Sequence, residues 1–248
     1  MISVIIISYN EEDVLEEALK SIHGFADEII LVDSGSKDKT LDIAKKYQAR
    51  VVSHTFKNFS DQRNFGFEHS KGNWIFYLDS DERITDAFKN EVLQVISSYS
   101  ESQDIAGYYI KRKTFYFGKD WGLTDSVQRL FYRKKFIKWF GDVHETPRVK
   151  GDFGIINTPI IHKTHRNLSQ MVEKTNKWSE YEAHLRFTSN HPYISWWRFP
   201  RVMIPEFFRA YISNKGYKNG TMGLIESIYQ AFSIFITYAK VWEQQVKK

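Results

Sequence analysis

Residues 2–8, Ile-Ser-Val-Ile-Ile-Ile-Ser, form a β-branched run interrupted by Ser3 and closed by Ser8. A strand that is apolar without alternation is buried on both faces, so it needs a layer of structure above and below it. Glu28 to Val32 is a second buried run, Ala49 to Ser53 reads as a third, short strand, and Asn73 to Leu78 as a fourth. Helical spacing fills the gaps. From Asn10 onward, Val14, Leu15, Ala18, Leu19 and Ile22 recur at steps of three and four, and Thr40–Tyr47, Ser60–His69 and Thr85–Tyr99 also suit helices. Strands alternating with helices imply right-handed βαβ units, hence an α/β fold with a mostly parallel sheet flanked by helices. From Gly107 the period becomes two, and GYYIKRKTFYFG and VQRLFYRK read as antiparallel strands. A loop over Trp139–Pro147, a strand near Ile155–His162 and a helix over 168–188 follow.

In parallel sheets ligands collect outside the C-terminal strand ends. Three polar clusters fall there: Ser8-Tyr9-Asn10-Glu11, Asp33-Ser34-Gly35-Ser36, and Asp79-Ser80-Asp81-Glu82. Acids this close repel one another unless something positive sits between them. The last cluster is therefore either a solvated turn or a cation site. Its Asp-x-Asp (DXD) pattern is a hard, oxygen-only ligand set suited to Mg²⁺ or Mn²⁺ shared with a substrate phosphate. Asp33 reads as a turn former or helix cap, or as a carboxylate accepting a pyrimidine imide N–H. Arg63, within Gln62-Arg63-Asn64, reads as a surface charge or as a phosphate or base contact. The absence of Gly-x-Gly-x-x-Gly and Walker patterns argues against dinucleotide and P-loop chemistry.

The string SYNEEDVLEEALKSI…DEIILVDSGSKDKTLDIA…DQRNFGFEHSKGNWIFYLDSDE resembles family-2 glycosyltransferases of GT-A (Rossmann-like) fold. Within them it is most similar to the bacterial lipopolysaccharide-core beta-glucosyltransferase subgroup. The family pattern spans residues 2–100, and the subgroup likeness continues through Val143-His144-Glu145 and His162. The resemblance implies that Ser8, Tyr9 and Glu11 line a nucleotide pocket, that Asp33 faces uracil and that Arg63 reaches the nucleotide. It implies Asp79 near the ribose and metal, Asp81 on the metal, and His162 as a third metal ligand, with a satisfied buried histidine as the alternative. Glu82 departs from the family's usual Asp-x-Asp-Asp. Such enzymes invert the anomeric centre in one displacement and need one general base. Asp125, Asp142 and Glu145 are the acids available, and Glu145 is selected, with His144 orienting the sugar or the base. The cofactor expected is Mn²⁺ or Mg²⁺, the donor a UDP-sugar, and the acceptor a hydroxyl of a lipopolysaccharide-core or other lipid-linked glycan. A peptide or protein acceptor is the alternative, as is a non-catalytic module that binds sugar nucleotides or a lipid surface.

Charge separates the two parts of the chain. Residues 1–150 hold 22 basic and 23 acidic side chains, whereas residues 151–248 hold 13 and 7. The basic part points to a polyanionic partner. No nucleic-acid motif appears, so nucleic acid is set aside in favour of an anionic membrane surface. Trp196, Trp197, Phe199, Phe207, Phe208 and Tyr211 lie among Arg198, Arg201 and Arg209, as an interfacial element requires. Ile225, Ile228, Phe232, Phe235, Ala239, Trp242 and Val246 make one helical stripe that packs on the core, on a second copy of the chain as a homo-oligomer, or on a membrane. No apolar run reaches the roughly 20 residues of a spanning helix, the start lacks a basic signal-peptide region, and there are no cysteines. The expected organisation is a nucleotide-sugar-binding catalytic domain over 1–165 and a helical extension over 166–248. The expected location is cytoplasmic, peripheral at the inner face of the membrane.

Overall fold

The computed structural model describes residues 1–141, 145–164 and 167–247. In chain order the elements are β1 (Ile2–Ser8), α1 (Leu15–Ile22), β2 (Glu28–Asp33), α2 (Thr40–Lys46), β3 (Arg50–Ser53), α3 (Phe59–His69), β4 (Trp74–Tyr77), β5 (Glu82–Arg83) and α4 (Asp86–Ser98). There follow β6 (Ile105–Tyr116), β7 (Lys119–Tyr132), β8 (Phe136–Phe140), β9 (Thr146–Val149), β10 (Asp152–Thr164), α5 (Leu168–Thr188), α6 (Arg198–Phe208) and α7 (Gly220–Val246). The chain divides into two compact units, one of Met1–Phe115 with Thr124–Thr164, the other of Tyr116–Leu123 with His165–Lys248.

The first unit is built on a mixed α/β sheet in the order β3-β2-β1-β4-β7-β6-β10-β5. β1 lies parallel to both β2 and β4, and β3 is parallel to β2. This parallel half is the one the buried runs predict. β7 joins β4 antiparallel, and β5 joins β10 antiparallel. Alternate residues of β1 enter opposite layers. Val4 and Ile6 pack with Leu15, Leu19 and Phe88, whereas Ile5 packs with Ile30, Val32, Tyr77 and Phe131 on the other face. Both faces are covered, which is why the run cannot alternate.

Two local readings change. The helix expected from Asn10 begins only at Leu15. Asn10 takes a left-handed backbone (φ 55°), and its N–H and side chain are bonded to the loop after β2. Asn tolerates that conformation better than most residues, and loop-to-loop bonds there outcompete a helical start. The loop expected over Trp139–Pro147 is narrower, because β8 and β9 pair antiparallel with Phe140 opposite Thr146. Four- and five-residue strands are too short for periodicity to reveal them.

The second unit is helical. Its residues 116–123 form the tip of the β6–β7 hairpin, with positive φ at both Phe117 (50°) and Gly118 (75°), as a two-residue type I′ turn demands. α5 and α7 are tied by polar contacts: the Tyr229 hydroxyl donates to the Met171 carbonyl at 2.7 Å, and Lys240 Nζ donates to Asn176. The buried face of α7 carries small residues, Gly223, Ser227, Ala231 and Thr237 among them. The apolar stripe read from the sequence lies elsewhere on the helix, with Ile225, Ile228, Phe232, Trp242 and Val246 all exposed. Among the described residues no helix is long and apolar enough to cross a membrane.

Gly66 sets how α3 lies on the sheet. A Cβ there would sit 2.5 Å from Ile5 Cγ2 and 3.0 Å from Val32 Cγ2, in the middle of the parallel half. Gly66→Val should therefore destabilise the protein by about 1–3 kcal/mol through overpacking, measured by urea unfolding. An unchanged midpoint would show that α3 can lift off the sheet freely.

Candidate active site

The register of the parallel strands brings the first two polar clusters side by side, with Ser8 opposite Asp33. The Ser34 N–H donates to the Ser8 carbonyl at 3.0 Å. The Asn10 N–H donates to Ser36 Oγ at 2.9 Å, and the Glu11 N–H donates to Thr40 Oγ1 at 2.8 Å. Asp33 is buried, and its carboxylate accepts the N–H groups of Gly35 (2.9 Å) and Ser36 (3.0 Å) together with the Ser36 hydroxyl. It organises its own turn, as short acidic side chains do. Ser8 Oγ is buried without a hydrogen-bond partner, whereas Tyr9 is exposed at the rim.

The third cluster is neutralised chiefly by arginine. Asp79 Oδ1 accepts from Arg63 Nη2 at 3.0 Å, and Asp79 Oδ2 accepts from Arg129 Nη2. Glu82, fully buried, accepts the Asp79 backbone N–H at 3.0 Å and faces Arg112 at 3.3 Å and Arg129 at 3.9 Å. Burial by itself would raise the Asp79 pKa, but the Arg129 and Arg63 charges outweigh it and hold the carboxyl below its ordinary range. Glu82 moves the other way, raised first by burial and then by the Asp79 charge. Arg63 is itself buried, stacked 5.2 Å from the Trp139 ring and 5.7 Å from the Tyr77 ring, a setting that suits a planar guanidinium.

Asp81 is placed differently from its neighbours. Pairing of β5 with β10 sets His162 opposite Glu82, and this brings His162 Nε2 to 3.3 Å from Asp81 Oδ2. His162 Nδ1 is buried without a hydrogen-bond partner. Among the described residues no cluster of three or more His, Cys, Asp or Glu side chains is arranged to hold a metal ion. A carboxylate–imidazole pair of this kind fits a divalent cation that takes its remaining ligands from a diphosphate and water, and does not make a closed protein cage.

α3 also holds the segment that carries the expected base. Asn64 donates its amide to the Trp139 carbonyl at 3.0 Å and accepts the Trp139 N–H at 2.8 Å. The Ser60 hydroxyl donates to the Gly141 carbonyl. Arg63 Nε donates to Glu145 Oε1 at 3.2 Å, so Glu145 and Asp79 share one guanidinium. His144 and Asp142 lie outside the described residues. Asp125, the other acid considered, is bound bidentately by Arg112 at 3.1 and 2.6 Å.

Sequence reasoning missed Arg112 and Arg129. The signal was present: Arg129 immediately precedes Leu130-Phe131-Tyr132 in a strand that is otherwise buried there, and a buried arginine needs a carboxylate partner. Which carboxylate it meets follows from strand order alone.

Comparison with known proteins adds family-level information. The model of glycosyl transferase family 2 matches residues 3–156. The chain is 26% identical to an uncharacterized glycosyltransferase of Rickettsia conorii, over 99% of this chain and 91% of that protein. It is also 26% identical to the lipopolysaccharide core biosynthesis glycosyltransferase LpsC of Rhizobium meliloti, over 100% of this chain and 94% of that protein. Among solved structures, glucosyl-3-phosphoglycerate synthase from Mycobacterium tuberculosis, in complex with Mn²⁺, UDP and glucosyl-3-phosphoglycerate, aligns at 26% identity and a TM-score of 0.37. That alignment covers 47% of this chain and 44% of the synthase, less than half of each.

Arg129→Met keeps an unbranched apolar stem and removes the guanidinium, leaving Asp79 and Glu82 with fewer cations. It should cost about 3–5 kcal/mol in urea unfolding, the range for breaking a buried ion pair. Adding Glu82→Gln removes one of the two like charges, so the double variant should be less destabilised than the sum of the singles. Strict additivity would mean that Arg129 contributes by packing only.

Proposed function

The chain belongs to glycosyl transferase family 2, and from that premise we propose that it moves a sugar from a UDP-sugar to a hydroxyl of a lipid-linked glycan with inversion. The observation that carries the donor half is the Asp81–His162 pair at the rim where the three strand-end clusters meet. Asp81 and His162 would hold Mn²⁺ or Mg²⁺ jointly with the diphosphate. When bound, such an ion neutralises charge on the departing diphosphate. The loops after β1 and β2, carrying Ser8, Tyr9, Glu11 and Asp33, are the surface for the nucleotide. Asp79 and Arg63 stand behind them as a preorganised ion pair that keeps the rim rigid.

In the transfer step the acceptor hydroxyl oxygen forms a bond to the anomeric carbon while the bond to the diphosphate oxygen breaks and its electron pair leaves with the diphosphate. The hydroxyl proton passes to a carboxylate, and Glu145 is our choice. Its Oε1 is oriented by Arg63, and Asp125 is committed to Arg112. His144 is proposed to orient the sugar or the base. Glucose is the donor sugar favoured by the sequence resemblance. For the acceptor, support comes from the Rhizobium meliloti relative, a lipopolysaccharide core biosynthesis glycosyltransferase, and from the basic C-terminal part. The enzyme would then work in the cytoplasm, peripherally at the inner face of the membrane.

Two measurements test this reading. UDP at about 100 times its dissociation constant should add about 2.7 kcal/mol to the stability of the folded state, dependent on Mn²⁺ in the wild type and absent in Asp81→Ala. No stabilisation under any divalent ion would remove the donor site. Glu145→Gln should bind UDP normally yet turn over UDP-glucose about 10²- to 10⁴-fold more slowly, the usual contribution of a general base. Retained turnover would move the base elsewhere.

A further inference from the structure

We propose that the outward face of α6 is a docking surface for an anionic phospholipid bilayer. None of the residues of α6 is buried. Trp197, Arg201, Ile204, Phe208 and Ile212 follow one another at steps of three and four, which sets them on one side of the helix and its continuation. The apolar members are not covered by the rest of the chain: Trp197 is 44% exposed and Ile204, Phe208 and Ile212 are 53 to 56% exposed. Trp196, just before the helix, is 81% exposed. α7 of the same unit adds exposed Leu224, Ile228 and Phe232.

Charge decides what covers this face. Between residues 190 and 220 there are Arg198, Arg201, Arg209, Lys215 and Lys218 against the single acid Glu206. The Arg198 and Arg201 guanidiniums lie 5.5 and 5.3 Å from the Trp197 ring centroid, placing two cations around an exposed aromatic ring. A second copy meeting this face about a two-fold axis would set the same cations against each other. A layer of phosphate headgroups accepts the cations, the indole rings and the aliphatic side chains at once. This is a helix lying in the interface, consistent with the lack of any spanning helix among the described residues. The proposal rests on the reading that the acceptor is membrane-bound, and it adds which element does the binding and which lipid it selects.

The test is co-sedimentation of the full chain with vesicles of phosphatidylglycerol and phosphatidylcholine, against phosphatidylcholine alone, at low and high salt. Binding should require phosphatidylglycerol and weaken with salt. Arg201→Ala should weaken it about fivefold, the effect of one basic residue at an anionic surface. Ile204→Ser with Phe208→Ser should abolish it. Those positions are exposed, so the variants should fold, and an unchanged helical circular dichroism signal and unfolding midpoint on the same samples check this. Equal binding to phosphatidylcholine alone, or undiminished binding by the double variant, overturns the proposal. So does a dimer in light scattering that the double variant dissociates, because the face then covers another copy. A chain that binds UDP but not vesicles refutes the docking surface and leaves the donor site standing. A chain that binds vesicles but not UDP supports the docking surface and removes the donor site.

Discussion

The grip of Arg63 on one oxygen of Asp79 and of Arg129 on the other is the interaction on which the rest of the site depends. Three acids within four residues at a strand end would repel one another and splay the loop. Two guanidiniums on Asp79, with Arg112 and Arg129 over Glu82, remove that repulsion from two of the three. The compensation comes from α3, β6 and β7, so the loop after β4 is held from both halves of the sheet. With Asp79 and Glu82 so engaged, Asp81 is the acid set beside His162. One cluster thereby separates into two arginine-paired acids and one acid set beside a histidine.

This arrangement also carries information across the site. Arg63 is shared between Asp79 and Glu145, and the same helix grips the backbone at Trp139 and Gly141. The close approach of α3 to the sheet, which only glycine at position 66 permits, fixes the depth at which Arg63 emerges. Packing within the parallel half thus determines the position of a proposed general base more than 80 residues further along the chain. Buried charge in this role contributes orientation more than net stability, because desolvation offsets much of the attraction.

The helical unit follows a different logic. α7 buries mostly small residues together with Val241 and Glu226, while Leu224, Ile225, Ile228, Phe232, Trp242 and Val246 stay exposed. Gly223 and Gly216 meet so closely that a Cβ on Gly223 would fall 1.8 Å from the Gly216 carbonyl oxygen. Close backbone approach, side-chain-to-backbone hydrogen bonds and a small apolar cluster of Ala183, Ile194 and Val241 hold this unit, and much apolar surface stays uncovered.

Much was determined by the sequence itself. Non-alternating β-branched runs can be satisfied only by a sheet covered on both faces, so the α/β class, the parallel half and the three clusters on one rim were legible from residues 2–82. The period-two segments likewise announced antiparallel strands. Other features were decided by tertiary structure, because they depend on which distant segments become neighbours. The placement of Arg112 and Arg129 over the acids needed the order β4-β7-β6, and the meeting of Asp81 with His162 needed a two-residue strand pairing with β10. The direction of the α7 stripe was likewise beyond periodicity, which shows that a helix has an apolar face but not what that face meets. Local pattern reports burial and period, whereas pairing between remote charges is a property of topology alone.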